Sequence, residues 1–240
     1  MNGFFLSHSI NTGEFNMEYD KNLLEYSIQK DLKSPIFRLY GWSPACVSLG
    51  RNQSDEHINK TFCKENNIDI VRRLTGGRAL LHDNELTYSF VCPIVFLKNG
   101  ETVIQSYKEI SGALALGLKK LGINAEFPIE KKAQTSFEYC MSLATGADLS
   151  INNKKIIGSA QFRKQGYILQ HGSIMFDYDK IKLENIFGEK PQTEKITTIK
   201  ELNEKIKLED LCNALKVGVE EFFNIDFQTS SNIEFDLIKS

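Results

Sequence analysis

The chain reads as an α+β protein, a single domain over residues 1–240 in which a mixed, mostly antiparallel sheet is flanked by helices. Three observations lead there. Apolar residues recur at helical spacing in well-separated stretches, alternating strand-like runs crowd the middle of the chain, and Gly, Pro and Asn punctuate the joins between them. No repeat and no low-complexity linker divides it.

Phe15–Leu32 is the first expected helix, with Met17, Leu24 and Ile28 on one face. Pro35 closes it, because proline cannot continue the backbone ladder. Ile36–Tyr40 and Val47–Leu49 read as strands joined by a turn through Gly41–Pro44. A helix over Asp55–Asn66 and a short strand at Ile68–Arg72 follow. Gly76-Gly77 then interrupts the pattern before strands at Arg78–His82 and Glu85–Val91. Ile110, Leu114, Leu118 and Leu121 predict a helix over Thr102–Leu121. Strands at Ala147–Ile151, Lys155–Arg163 and Tyr167–Met175 are separated by turns at Asn152-Asn153 and Gln165-Gly166. Lys207–Phe223 is the last helix, its stripe made by Leu208, Leu211, Cys212, Leu215, Val219 and Phe222.

Composition narrows the function classes. Of 240 residues, 41% are hydrophobic and 25% charged, the balance of a soluble globular enzyme with 16 Phe and 8 Tyr to build a core. The net charge of −2 leaves no global basic surface for a nucleic-acid backbone. Neither a basic, apolar leader at Met1–His8 nor a run long enough to span a membrane is evident, so no membrane partner is expected and the cytoplasm is the expected compartment. Five cysteines, an odd number without a CxxC pair, suggest neither a disulfide framework nor a zinc site. Cys46, Cys63, Cys92 and Cys212 fall in apolar stripes or strands and are read as packing, His171 as a residue with a local hydrogen bond, and His8 and His57 have no supporting context for a role.

Four stretches depart from plain scaffold. In Val47–Gln53 a strand runs into Gly50, which permits a tight turn and close backbone approach. In Arg72–Ser89 a diglycine is flanked by Arg73 and Arg78 and followed by a strand with His82, which sets backbone N–H groups beside fixed positive charge and suits an anionic or polar substrate portion. Cys140 precedes the run TGADL at Thr145–Leu149. Finally, Gly158-Ser159-Ala160 interrupts a strand with three small residues, as one wall of a narrow alkyl slot would require. A nucleophilic thiol needs a depressed pKa, and a nearby ammonium supplies it. Lys155 lies fifteen positions after Cys140, beyond a turn that permits its return.

In this order the four stretches resemble the biotin/lipoate protein ligase superfamily from about Met17 to Ile199. The runs RRLTGGRALLHDNELTYS (Arg72–Ser89) and KKIIGSAQFRKQGYILQHGS (Lys154–Ser173) look like the cysteine-dependent octanoyltransferases of the LipM type. The resemblance implies a class II aminoacyl-tRNA synthetase/biotin synthetase-like fold and a ping-pong transfer of octanoyl that needs no cofactor and no metal. It implies octanoylated acyl carrier protein as donor, and as acceptor a lysine of a lipoyl domain or of glycine cleavage H protein. Cys140 would form the acyl thioester and Lys155 would lower the thiol pKa and assist proton transfer. Arg73, Thr75, Gly76, Gly77, Arg78 and His82 would line the acyl and pantetheine site, closed from the other side by Gly158, Ser159 and Ala160. The family usually has Cys-Phe where this chain has Cys140-Met141, with Ser136-Phe137 just upstream; the ungapped match to the following strand favours Cys140. An ATP-dependent lipoate–protein ligase, an octanoyl amidotransferase between carrier proteins and a non-catalytic acyl- or carrier-binding module stay open as alternatives. Against the ligase, Arg78 follows the diglycine where ligases usually carry a third glycine.

Overall fold

A computed structural model describes residues 1–128, 148–188, 190 and 192–229. Among the described residues there are ten strands: β1 (Asn2–Asn11), β2 (Ile36–Trp42), β3 (Cys46–Leu49), β4 (Asp69–Arg72), β5 (Leu80–His82), β6 (Glu85–Pro93), β7 (Leu149–Ile151), β8 (Lys154–Lys164), β9 (Tyr167–Met175) and β10 (Asp226–Thr229). The helices are α1 (Gly13–Gln29), α2 (Lys60–Glu65), α3 (Val103–Lys120), α4 (Lys180–Phe187), α5 (Ile199–Leu202) and α6 (Leu208–Phe223).

Seven strands form the main sheet in the order β10-β1-β2-β6-β9-β8-β7. Its β10–β1 and β1–β2 pairs are parallel and the rest antiparallel, the mixed, mostly antiparallel arrangement expected. A separate three-stranded sheet, β4-β3-β5, was not anticipated. The main sheet is covered on both faces, so every residue of β2 and β6 is buried. On one face Phe37, Leu39, Leu86, Tyr88 and Phe90 pack with Ile110 and Leu114 of α3 and Leu211 and Leu215 of α6. On the other, Leu23 and Leu24 of α1 meet Ile36, Val91 and Leu169.

Local signals explain the element ends. Thr12, Thr102 and Asp179 accept backbone N–H groups at the starts of α1, α3 and α4. Lys119 and Lys120 stand at the negative end of the α3 dipole. The helix expected over Asp55–Asn66 is cut to α2, because Asn59 caps it by accepting from the Phe62 N–H. Strand β5 starts at Leu80 rather than Arg78, since the Arg78 carbonyl is engaged by the Arg73 side chain. The face expected to bury on the first helix is corrected too. Asn16, Asp20 and Ser27 of α1 are buried with Leu23 and Leu24, whereas Met17 and Ile28 are only half-buried. This polar face turns inward because buried Arg38 and Tyr40 on β2 require partners there. Among the described residues no helix is long and apolar enough to cross a membrane.

Candidate active site

The site begins with the diglycine loop. Strands β3 and β4 run parallel and hold the segments after them side by side: Arg73 N–H donates to Leu49 O at 3.0 Å, and Arg51 N–H donates to Thr75 O at 2.9 Å. Gly50 sits so close to Gly77 that an added Cβ would lie 1.9 Å from the Gly77 carbonyl oxygen. Gly77 itself has φ +92°, a backbone state that L side chains rarely adopt. The Arg73 guanidinium then staples the loop, donating from Nη1 to Ser48 O at 2.8 Å and from Nη2 to Gly76 O at 2.9 Å and Arg78 O at 2.7 Å.

Where this loop and β5 meet the main sheet, a cavity of about 480 Å³, counted out to its open mouth, is formed. Of the residues expected around the substrate, Arg73, Gly77, His82, Gly158, Ser159 and Ala160 line it. Thr75 and Gly76 are not among its lining residues, Thr75 being fully buried and Gly76 exposed, and Arg78 contributes its carbonyl to the Arg73 staple. On the facing wall the small residues of β8 pair with β9, Gly158 with Ser173, Ser159 with Gly172 and Ala160 with His171.

Two hydroxyl–imidazole–carboxylate arrays flank the cavity. In the first, Ser48 Oγ lies 2.8 Å from His82 Nε2 and His82 Nδ1 lies 3.1 Å from Glu85 Oε1. In the second, Thr75 Oγ1 lies 2.7 Å from His171 Nε2 and His171 Nδ1 lies 3.1 Å from Asp20 Oδ2. Asp20 also accepts from Arg38 Nη1 at 2.8 Å and Tyr40 OH at 2.8 Å. Burial lowers the His82 pKa against the opposing pull of Glu85. For Asp20 burial acts upward, but the His171 hydrogen bond, Arg38 and Tyr40 outweigh it and hold the carboxyl below the usual range. His171 lines the cavity and is therefore more than the local hydrogen-bonding residue expected. Ser48, Trp42, Tyr40, Thr87 and Ser173 line it as well and were missed. One signal was available: His82 and Glu85 sit three apart, at the end of β5 and the start of β6.

The expected Lys155 is 2% exposed, its Nζ 2.9 Å from Asp148 Oδ2. The other oxygen of Asp148 accepts the Ser159 N–H at 3.2 Å, which ties the buried ammonium to the cavity wall. Cys140 lies outside the described residues, as do Thr145, Gly146 and Ala147 of the following run. The remaining thiols have the character expected of packing: burial pushes Cys46, Cys63 and Cys92 upward and Cys212 up to about 11. Among the described residues no group of three or more His, Cys, Asp or Glu side chains could hold a metal ion.

Residues 12–220 match the model of the lipoyl protein ligase A/B catalytic domain. The octanoyltransferase LipM of Carboxydothermus hydrogenoformans is 35% identical over 235 residues, covering 93% of this chain and 87% of the relative. That of Bacillus subtilis is 36% identical over 233 residues, covering 89% and 84%. Among solved structures, a bipartite lipoate protein ligase from Thermoplasma acidophilum superposes with TM-score 0.78 at 22% identity, over 100% of this chain and 91% of that one. Lipoate-protein ligase A bound with ATP gives 0.77 at 22% identity, over 100% and 93%. At that identity the structures speak for the fold and the sequence relatives for the family: this chain belongs to the lipoyl protein ligase A/B catalytic domain family.

Proposed function

We propose that the protein is an octanoyltransferase of lipoate biosynthesis, its residues 1–240 forming one catalytic domain. The family membership and the octanoyltransferase relatives support this reaction class. The observation that carries the site is the link from cavity wall to buried amine: Ser159 N–H to Asp148, and Asp148 to Lys155.

In this reading octanoyl enters the cavity with its thioester toward the β8 wall. The Cys140 thiolate attacks the carbonyl carbon, the carrier thiol leaves, and an acceptor lysine amine then attacks the acyl-enzyme. Thioester exchange is nearly isoenergetic and amide formation runs downhill, so the sequence closes without ATP. The Lys155 ammonium is the positive charge assigned to stabilise the thiolate, and Asp148 balances it in the low-dielectric interior. We assign octanoylated acyl carrier protein as donor and the lysine of a lipoyl domain or glycine cleavage H protein as acceptor. A working thiol needs a reducing compartment, and the cytoplasm is the one assigned.

Intact-protein mass spectrometry tests the reading. Exposure to octanoylated carrier adds one octanoyl group to the wild-type chain, and the adduct vanishes in Cys140→Ala. An adduct that survives this substitution, or pyrophosphate release from lipoate and ATP, would show another chemistry.

A further inference from the structure

Transfer through a thiol at position 140 makes no use of the array Ser48–His82–Glu85, yet its protons are arranged for chemistry. Trp42 Nε1 donates to Thr87 Oγ1 at 2.8 Å, so the Thr87 hydroxyl hydrogen goes to Glu85 Oε1 at 2.6 Å, while Ser173 donates to Glu85 Oε2 at 2.5 Å. Glu85 therefore acts as acceptor throughout, and His82 Nδ1 carries the ring proton toward it at 3.1 Å. That leaves Nε2 as the acceptor for the Ser48 hydroxyl at 2.8 Å. Burial favours this neutral ring. Arg73 Nη1 stands 3.1 Å from Ser48 Oγ, a fixed cation beside the atom that becomes negative when the hydroxyl loses its proton. The Trp42 ring lies on the imidazole at 4.0 Å between centroids and 20° between planes, holding its orientation. Ser48 and His82 are both buried in the protein and line the cavity together.

We propose that this array is a second acyl-accepting centre, which gives the protein an esterase and thioesterase activity on medium-chain acyl substrates, with Ser48 as nucleophile, His82 as its base and Glu85 orienting His82. Ser48 Oγ adds to the acyl carbonyl carbon while its proton passes to His82 Nε2. The bond to the alcohol or thiol breaks, and the departing group takes that proton. Water, deprotonated by His82, then cleaves the Ser48 ester and releases the free fatty acid, and the serine oxygen recovers its proton. The array in Thr75, His171 and Asp20 is the lesser candidate, because Thr75 does not line the cavity and no cation among the described residues is placed on its hydroxyl as Arg73 is on that of Ser48. The activity is independent of the Cys140 reading and stands or falls apart from it.

The probe is an octyl fluorophosphonate, which phosphonylates an activated serine with loss of fluoride. Incubated with the full wild-type chain and mapped by tandem mass spectrometry, it gives one adduct, on Ser48. A His82→Gln chain with wild-type circular dichroism is labelled roughly 100-fold more slowly, the scale of a lost general base. The labelled wild-type protein also stops releasing nitrophenolate from p-nitrophenyl octanoate under conditions in which cysteine is blocked beforehand. A folded wild-type chain without an adduct, an adduct on Thr75 or any other residue, or unchanged labelling in His82→Gln overturns the proposal.

Discussion

At the scale of single residues, Gly50 controls whether the diglycine loop can close. A methyl group there would stand 1.9 Å from the Gly77 carbonyl, and backbone is not free to yield as a side-chain tip would. Gly50→Ala is expected to lower stability by about 1–3 kcal/mol, the usual cost of overpacking, and to displace Arg73 and Gly77 from the cavity. Urea unfolding and the rate of octanoyl transfer check both, and a variant with wild-type values in each would contradict it. The need for close approach at position 50 was legible from a glycine at a strand end, but its target 27 positions away was not. His171 shows the same limit, since its partners Thr75 and Asp20 are 96 and 151 positions distant.

Among elements, the hairpin of β7 and β8 carries the charge pair. Its turn was readable from Asn152-Asn153, both of which adopt positive φ. Lys155 is legible as a lysine that the turn could return toward Cys140, its role comes from the family resemblance, and the sequence gives no sign that Asp148 is its partner. A buried ammonium cannot keep its charge at low cost without a carboxylate beside it. Asp148→Ala is therefore expected to cost about 3–5 kcal/mol, as is usual when one partner of a buried pair is removed. The double variant Asp148→Ala/Lys155→Met should recover much of that loss, because no charge is left in the interior. Denaturant titration of both variants decides it: additive losses would mean that the pair is not energetically coupled. Helix α1 makes the same point with sign reversed, for its inward face holds Asn16 and Asp20 where periodicity placed Met17 and Ile28.

For the whole molecule, Asp20 joins α1 to β2 through Arg38 and Tyr40, to β9 through His171, and by way of His171 to Thr75 in the diglycine loop. Its carboxyl is held below the ordinary value, so the unfolded chain binds this proton more readily than the folded one. The stabilisation is full above the ordinary carboxylate pKa, about 4, and is lost as pH falls through the lower folded value. Urea unfolding of wild type and Asp20→Asn should show a stability gap that is constant from neutral pH to about 5 and narrows below about 4. A gap that stays constant or widens in acid would rule out this role. Periodicity and turn residues sufficed for most strands and the long helices, because these depend on neighbours a few positions apart. Two long motifs sufficed for the family and for six of the residues that line the cavity. Division of the strands into two sheets, the inward polar face of α1 and the two imidazole arrays depended on contacts between segments far apart in sequence. Burying a charge is tolerable only where a remote partner meets it, and that meeting exists only once the chain has folded.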